Sequence, residues 1–325
     1  MRKKIIIIVI VIIIITFIYS YTKPISINTK NTKIDISNNK NINIQTINTT
    51  AYFTGLNYLY SINTLNLKKT TVSGYLGPGK AADSVFKIAK DEYAISNEST
   101  SINICGPDKC SQGNFISTIT GYTFNNTFYN FQGVGDLAMY NNNLYATDVL
   151  NGAIVKINLS NFKASAVVTG LNNPHGIYFY KKNLYINLES FMYNKSNCNL
   201  IKINTINWTA IGCASTVGGY ADGVAGYKNT LYIVRDYLQS SGYYNASVYR
   251  INLNTLKYTN LININNQYID GIGYNSNQVL AVLRSANPDS LGVKHYNYIQ
   301  GLYNITSGKP RLLVSGIFDG VYFPY

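Results

Sequence analysis

Six residues that could bind a cation recur at regular intervals in this sequence, and four of them are followed by glycine. They are Asp83, Asp136, His175, Asp222, Asp270 and Asp319, with 39 to 53 residues between successive members. Carboxylate oxygens are the ligands that Ca²⁺ prefers, and a histidine would admit a softer divalent ion. The sequence therefore predicts one bound divalent cation, most readily Ca²⁺. Its expected place is the central channel of the ring-shaped fold that the repeats described below predict. Its predicted ligands are Asp136, His175, Asp222, Asp270 and Asp319.

The residues around these positions form a repeated pair of strands. In the copy YADGVAGYKNTLYIVRD (220–236), a strand that starts at Asp222 is followed by a turn at Lys228 and by a second, apolar strand. Related copies lie at 81–98, 133–148, 173–189 and 268–284, and the truncated copy IFDGVYFPY ends the chain. A period of about 40 to 50 residues is typical of one β-propeller blade.

A second motif, two apolar residues followed by x-Ile-Asn or x-Ile-Thr, predicts the third strand of each repeat. Its copies are LYSIN (59–63), IVKIN (154–158), LIKIN (200–204), VYRIN (248–252) and LYNIT (302–306). Each copy precedes a turn and a fourth strand. The first two copies are about two periods apart, so one repeat between them, which contains Cys105 and Cys110, has drifted from the pattern.

The repeats predict an all-β fold, a six-bladed β-propeller of four-stranded antiparallel blades over residues 41–325. The sixth blade is split. Its first strand is the C-terminal segment from Asp319 to Tyr325, and its other strands are expected near 42–54, 57–63 and 67–74. Pairing of the two termini would close the ring and remove the exposed sheet edges.

The order of the DG(I/V), N-LY and VYRIN motifs resembles the NHL-repeat and gluconolactonase/regucalcin-like six-bladed propellers, and also YVTN-type surface propellers, over 41–325. In the regucalcin-like class, a metal near the channel mouth polarises a lactone or phosphoester and a carboxylate acts as the base. The resemblance implies Asp222, Asp270 and Asp319 as positions to test. The Glu/Asn/Asn/Asp metal set of that class is not found as a motif.

Most of the negative charge is expected at one end of the channel. Within each repeat the first and second strands are antiparallel neighbours. The first strand therefore begins at the same end of the channel at which the second strand finishes. The acids that finish second strands are Glu98, Asp148, Glu189 and Asp236, which brings nine of the 14 carboxylates to that end. An aspartate before glycine also commonly accepts N–H groups of its own turn. Three interpretations stay open: structural aspartates, a bound ion without catalysis, or a metal-dependent hydrolase.

The N-terminus has the pattern of a membrane anchor. Met1-Arg-Lys-Lys precedes the apolar run IIIIVIVIIIITFIYSY at 5–21, which is near the lower length limit for a transmembrane helix. We predict a signal anchor at 1–22 and a polar stalk at 23–40, with the rest of the chain outside the cytoplasm. An uncleaved anchor is favoured over a removed signal peptide, because no small-x-small cleavage site follows.

The four cysteines favour two disulfides, Cys105–Cys110 and Cys198–Cys213, and hence an oxidising compartment. The alternative is a metal site of four thiolates, but the CxxC spacing that such sites favour is absent. Eight N-x-S/T sequons fit a glycosylated exterior protein.

The net charge of +13 does not predict a nucleic-acid partner, because the lysines are scattered through turns instead of forming one basic run. Tyrosine-rich insertions at 237–249 and 295–303 are expected to extend loops on the acidic end. The predicted function is a membrane-anchored, extracytoplasmic binding or adhesion module that recognises a protein or glycan through this acidic, tyrosine-rich face. The alternative is a metal-dependent lactonase or esterase of the regucalcin-like class.

Overall fold

The computed structural model describes residues 49–55, 58–72, 84–96, 100–106, 110, 114–189, 198–215, 219–220, 223–239, 244–284 and 298–324. The regular structure of these residues consists of β-strands in six sheets. No helix within these ranges is long and apolar enough to cross a membrane. The anchor predicted at 1–22 and the stalk predicted at 23–40 lie outside the described residues.

The strands occur along the whole described chain. They are β1 (Thr50–Gly55), β2 (Tyr58–Asn63), β3 (Lys69–Thr71), β4 (Ser84–Ala89), β5 (Glu92–Ser96), β6 (Ile102–Cys105), β7 (Ser117–Ile119), β8 (Gly121–Phe124), β9 (Thr127–Asn130), β10 (Val134–Tyr140), β11 (Asn143–Asp148), β12 (Ala153–Asn158), β13 (Ala164–Val168), β14 (Pro174–Tyr180), β15 (Asn183–Leu188), β16 (Leu200–Asn204), β17 (Thr209–Ala214), β18 (Val224–Tyr227), β19 (Thr230–Leu238), β20 (Tyr244–Asn252), β21 (Tyr258–Ile264), β22 (Tyr268–Tyr274), β23 (Val279–Arg284), β24 (Gly301–Asn304), β25 (Arg311–Ser315) and β26 (Val321–Tyr322).

The six sheets are the blades that the repeats predict. Blade 1 has the strand order β26-β1-β2-β3, and blades 2, 4, 5 and 6 are β4–β7, β14–β17, β18–β21 and β22–β25. Blade 3 contains β10–β13 and an additional hairpin. The hydrophobic core lies between neighbouring blades: Val234 and Val248 of blade 5 pack in one cluster with Ile272 and Ala281 of blade 6. The protein is therefore a six-bladed β-propeller.

The ring closes in blade 1, where the C-terminal strand β26 pairs antiparallel with β1 and places Tyr322 opposite Tyr52. Thr54 fastens this junction. Its hydroxyl oxygen accepts the N–H of Gly320 at 3.1 Å, and its own N–H donates to the carbonyl of Gly320 at 3.1 Å. The split blade predicted from the sequence is confirmed, and its pairing covers two strand edges that would otherwise be open.

Blade 3 explains the irregular spacing in the second quarter of the chain. The hairpin β8–β9 precedes its first strand, and β8 pairs in parallel with the outermost strand β13, with Thr123 opposite Ser165. The hairpin also contributes buried Tyr122 to the core of this part of the ring. An added hairpin, rather than only a drifted blade, lengthens the interval between Asp83 and Asp136.

The turn after each third strand explains the Ile-Asn motif. The asparagine side chain accepts the N–H two residues later, as Asn158 does from Ser160 and Asn204 does from Ile206, both at 2.8 Å. The same bond is made by Asn63 and Asn252. In the copy LYNIT, which ends in threonine, the asparagine before the isoleucine, Asn304, accepts the N–H of Thr306. Four of these turns contain a residue in the left-handed region, with φ of 55° to 59°, namely Leu67, Phe162, Trp208 and Leu256. The motif thus encodes a turn as well as a strand.

Both predicted disulfides are present, Cys105–Cys110 in blade 2 and Cys198–Cys213 in blade 4. Cys213 lies on β17 opposite Ile201, so the second bridge joins the outer strand of blade 4 to the segment that enters its third strand. The two bridges indicate an oxidising compartment.

The ring junction gives the first testable prediction. Thr54→Val removes the acceptor of the buried Gly320 N–H at nearly constant volume, so the free energy of unfolding should fall by about 1–3 kcal/mol. Urea denaturation would measure it. Thr127→Val, at an exposed position in β9, is the control and should change stability by less than about 0.5 kcal/mol. Equal stabilities of the two variants would contradict the assigned role of Thr54.

Candidate functional site

The innermost strands of the six blades surround an axial channel with a cavity of about 550 Å³. Its lining includes Ser84, Asp136, His175, Gly223, Asp270 and Gly320. Each of these residues lies at or near the start of its inner strand, and Asp319 lies two residues before β26. We call this end of the channel, with Asp136, His175, Asp270 and Asp319, the acidic mouth. Two further predicted positions, Asp83 and Asp222, lie outside the described residues.

Asp136 joins three neighbouring blades. Its Oδ1 accepts the Ser84 hydroxyl of blade 2 at 2.9 Å and the N–H of Leu137 at 2.8 Å, and its Oδ2 accepts the N–H of Ile177 in blade 4 at 3.2 Å. Burial raises the pKa of Asp136 to about 6, and these three hydrogen bonds oppose the increase. The carboxylate therefore serves as an acceptor for protein groups.

Hydroxyl groups on the second strands continue this network. Thr147 accepts the N–H of Asp136 at 2.9 Å and donates to the carbonyl of His175 in the next blade at 2.8 Å. Ser96 likewise donates to the carbonyl of Gly135 at 2.8 Å. The inner strands of blades 2, 3 and 4 are thus joined by side chains as well as by packing.

His175 is neutral at pH 7. Burial lowers its pKa to about 4, and the nearby positive charge of Arg235 adds to this effect. Arg235 is itself fully buried and donates to the carbonyls of Leu188 and Asn199 in blade 4, at 2.7 Å and 3.0 Å. This part of the mouth therefore already contains one fixed cation.

Asp270 and Asp319 share a second arginine. Nη1 of Arg284 lies 2.5 Å from Oδ2 of Asp270 and 3.0 Å from Oδ1 of Asp319. The two carboxylate side chains are each only 7% exposed, against 26% for Arg284. Burial by itself lowers the pKa of Arg284, but the two carboxylates outweigh it and raise the pKa overall. The guanidinium thus supplies the positive charge that a bound cation would bring.

The acids that finish the second strands stabilise the chain segments that lead into the inner strands. Asp148 accepts the N–H of Gln132 at 3.0 Å and the side-chain amide of Asn151 at 2.7 Å. Asp236 accepts the N–H of Ile269, in the next blade, at 3.1 Å. Glu189 is also buried. The fourth predicted acid of this set, Glu98, lies outside the described residues.

The four predicted metal ligands that lie within the described residues therefore have different surroundings, and the fifth, Asp222, lies outside them. Asp136 accepts three protein donors, Asp270 and Asp319 face Arg284, and His175 lies near Arg235. Within the described ranges, no group of three or more His, Cys, Asp or Glu side chains is placed to hold a metal ion. The divalent cation stays a prediction.

No motif in the sequence predicted a role for Arg235 or Arg284. Both occupy the end of a second strand, in LYIVRD and VLAVLR, where other blades carry an acid or an apolar residue. An arginine at the end of an otherwise apolar strand is the available signal, because such a charge is rarely buried without a partner. Which carboxylates it meets depends on the neighbouring blades.

The opposite end of the channel is aromatic. Tyr140 stacks on Phe179 with ring centroids 4.6 Å apart, and Phe86 lies 4.3 Å from Tyr322. The hydroxyl of Tyr178 donates to the carbonyl of Lys228 at 3.2 Å. These contacts join adjacent blades where the inner strands end, and they were not predicted from the sequence.

The outer edge of the acidic end carries exposed apolar residues next to tyrosines. Leu238, Ile299 and Ile317 are 54%, 62% and 45% exposed. Tyr244 lies opposite Leu238 in the sheet, and its ring is 5.6 Å from that of Tyr268.

Hydrogen bonds connect these positions across two blades. Gln267 donates its N–H to the carbonyl of Tyr244 at 2.9 Å and accepts the N–H of Tyr298 at 3.3 Å, while Gly316 donates to the carbonyl of Gln300 at 3.0 Å. We call this surface the rim of blades 5 and 6. It is defined by Leu238, Tyr268, Tyr298, Ile299 and Ile317, with buried Tyr244 beneath it. It includes residues from both predicted tyrosine-rich insertions.

Two partly buried groups of the mouth, Asp136 and His175, predict opposite pH dependences of stability. The pKa of Asp136 is raised to about 6, so its contribution to stability is complete below its unfolded pKa of about 4 and is lost as the pH rises through 6. The pKa of His175 is lowered to about 4, so its contribution is complete above about pH 6.5 and is lost as the pH falls through 4.

Single variants should separate the two effects. Between about pH 6.5 and about pH 4.5, Asp136→Asn should lose about 2 kcal/mol more stability than the wild type, and His175→Gln should lose about 2 kcal/mol less. Urea titrations at the two pH values would measure this, since other carboxylates contribute equally to all three proteins. Parallel pH profiles for the three proteins would contradict the assigned environments.

The shared arginine gives a further prediction. Arg284→Met leaves Asp270 and Asp319 close together without a counter-charge, so the free energy of unfolding should fall by about 3–5 kcal/mol, and millimolar Ca²⁺ should restore part of it. Arg250→Met, at an exposed position of β20, is the control. If Ca²⁺ stabilised the wild type as much as it stabilises Arg284→Met, this account of Arg284 would be contradicted and the predicted cation supported.

No protein-family model matches the chain, and no curated protein matches it. Solved structures that match the chain include the following three. A chain of a nidogen/laminin complex has 11% identity and a TM-score of 0.56, over 84% of this chain and 97% of that one. Hydrazine synthase of Kuenenia stuttgartiensis has 13% identity and a TM-score of 0.49, over 70% of this chain and 62% of that one.

The third structure, the computationally designed protein Ika8, has 9% identity and a TM-score of 0.43, over 74% of this chain and 63% of that one. The present chain thus spans less than two thirds of the length of the hydrazine synthase and Ika8 chains. At these identities the likeness extends to the fold and no further. The chain is a six-bladed propeller whose acidic mouth is occupied by its own hydrogen bonds and ion pairs.

Proposed function

We propose that this protein is an extracytoplasmic binding module, anchored in a membrane by residues 1–22, that recognises a protein or glycan through its acidic, tyrosine-rich end. The observation that carries the proposal is the rim of blades 5 and 6. There, three large aliphatic side chains are about half or more exposed and lie beside tyrosines within one connected surface.

The composition of the rim favours binding to a macromolecule. Exposed aliphatic residues next to tyrosine resemble the core of a recognition surface, because such side chains gain stability when a partner removes them from water. Tyrosine adds a rigid apolar ring and a hydroxyl that can bond to either a peptide or a sugar. The disulfides agree with an extracytoplasmic position.

The state of the acidic mouth also supports binding over hydrolysis. A hydrolase needs a carboxylate that can accept a proton from substrate or water, whereas Asp136 accepts three protein donors and Asp270 and Asp319 share Arg284. No observation favours the regucalcin-like lactonase over the binding module. A propeller chain within a nidogen/laminin complex illustrates that this fold occurs in protein assemblies.

The test is a comparison of two faces. The full chain in neutral detergent would be screened against arrays of extracellular protein domains and of glycans. The double variant Leu238→Asp/Ile299→Asp should weaken binding of the partner that the screen identifies by roughly tenfold or more. The matched control is Leu65→Asp/Ile206→Asp, at positions that are 74% and 70% exposed on the opposite end.

Both double variants should keep the thermal stability of the wild type, since all four side chains are exposed. Retained binding by the rim variant, or equal loss in both variants, would contradict the proposed surface. Lactone or phosphotriester hydrolysis that is lost in Asp270→Ala would replace the proposal with the hydrolase alternative.

A further inference from the structure

Lysines that are scattered in the sequence are gathered by the fold at one end of the propeller. This end, opposite the acidic mouth, carries the turns between first and second strands and between third and fourth strands. We call it the lysine face. The basic residues in or beside its turns are all exposed, and they are Lys68, Lys69, Lys90, Lys163, Lys181, Lys182, Lys228, Lys257, Lys309 and Arg311.

The topology explains why these turns share an end. Successive strands of a blade are antiparallel, so the first and third strands run in the same direction and finish at the same end. Direct contacts agree with this. In blade 4 the N–H of Thr205 donates to the carbonyl of Lys182 at 3.0 Å, and in blade 5 the N–H of Leu253 donates to the carbonyl of Asn229 at 2.9 Å.

The charge of the described chain is therefore strongly divided. The described acids on the lysine face are Asp91 and Glu92, against ten basic residues. The other described acids are at the opposite end, and they are Asp136, Asp148, Glu189, Asp236, Asp270 and Asp319. A face with such an excess of one sign attracts polyanions and raises their association rate.

The lysines are presented by rigid turns. Lys68, Lys163 and Lys257 each follow directly after a residue in the left-handed region, in a turn whose asparagine accepts a backbone N–H. A turn held in this way loses little backbone entropy when it binds a ligand, so more of the electrostatic attraction is retained as affinity.

Blades 4 and 5 combine lysine with tyrosine. Nζ of Lys181 lies 5.2 Å from the ring centroid of Tyr180, and Nζ of Lys228 lies 5.1 Å from that of Tyr227. Both tyrosines are half-buried, and Tyr227 lines the channel. An aromatic ring can pack against the apolar face of a sugar while an adjacent ammonium binds an anionic substituent.

We propose that the lysine face binds a sulfated polysaccharide, with Lys181, Lys182 and Lys228 as its principal contacts. The disulfides favour this class of polyanion over nucleic acid, because they indicate an oxidising compartment outside the cytosol. The two tyrosines that lie beside lysines, Tyr180 and Tyr227, favour a sugar chain over a flat anionic membrane. The site is separate from the rim of blades 5 and 6, so the proposed function and this inference can fail independently.

Heparin is the probe, bound to the full chain in neutral detergent and measured by surface plasmon resonance at several salt concentrations. Lys181→Gln/Lys182→Gln/Lys228→Gln should weaken binding by roughly tenfold and reduce the dependence of affinity on salt. The matched control is Lys156→Gln/Lys202→Gln/Arg250→Gln, which removes the same charge from third strands of blades 3, 4 and 5 and should weaken binding by less than about twofold.

Competition experiments separate the possible ligands. Desulfated heparin and hyaluronan, which lack sulfate, should compete poorly. Equal weakening in the two triple variants would overturn the proposal, because net charge alone would then explain binding. Absence of heparin binding at low salt would also overturn it, as would tighter binding to double-stranded DNA or to phosphatidylserine vesicles than to heparin.

Discussion

The structure depends on hydrogen bonding between its two ends. The inner strand of blade 1 comes from the last residues of the described chain and the other three strands from its beginning, so the ring is closed by the pairing of β26 with β1. Thr54 and Gly320 form the last bonds of this junction. Closure places all six inner strands around one axis, and every feature of the channel follows from that arrangement.

Closure also determines what the scarce acids can do. Around a narrow axis, the starts of the inner strands leave backbone N–H groups that must find acceptors. Asp136, Asp148 and Asp236 accept such groups from their own or neighbouring segments, and Asp270 and Asp319 bind Arg284. The acidic mouth therefore holds blades together, and recognition is assigned to exposed surfaces farther from the axis.

The two ends of the ring differ because the connections between strands at one end are tight turns and those at the other end are longer. Tight two-residue and asparagine-capped turns lie on the lysine face and end in exposed positions, where the charge of a lysine stays in water. The acidic end carries the longer connections, whose described parts include exposed aliphatic residues and partly buried tyrosines. One repeated topology thus presents two distinct surfaces, of which one is basic and the other is apolar and tyrosine-rich.

The sequence by itself determined the blade count, the split first blade and the disulfide pairs, because a repeated strand pattern and cysteine spacing are local signals. It also located the ring of acids but left its role open. Only the tertiary structure decided that Arg284 lies between Asp270 and Asp319 and that Asp136 binds Ser84 and Ile177. It likewise gathered lysines from separate repeats onto one face. Most of these contacts and groupings join different blades. Asp319 is 35 residues from Arg284, and Asp136 is 52 residues from Ser84 and 41 from Ile177, so no local pattern of residues contains them.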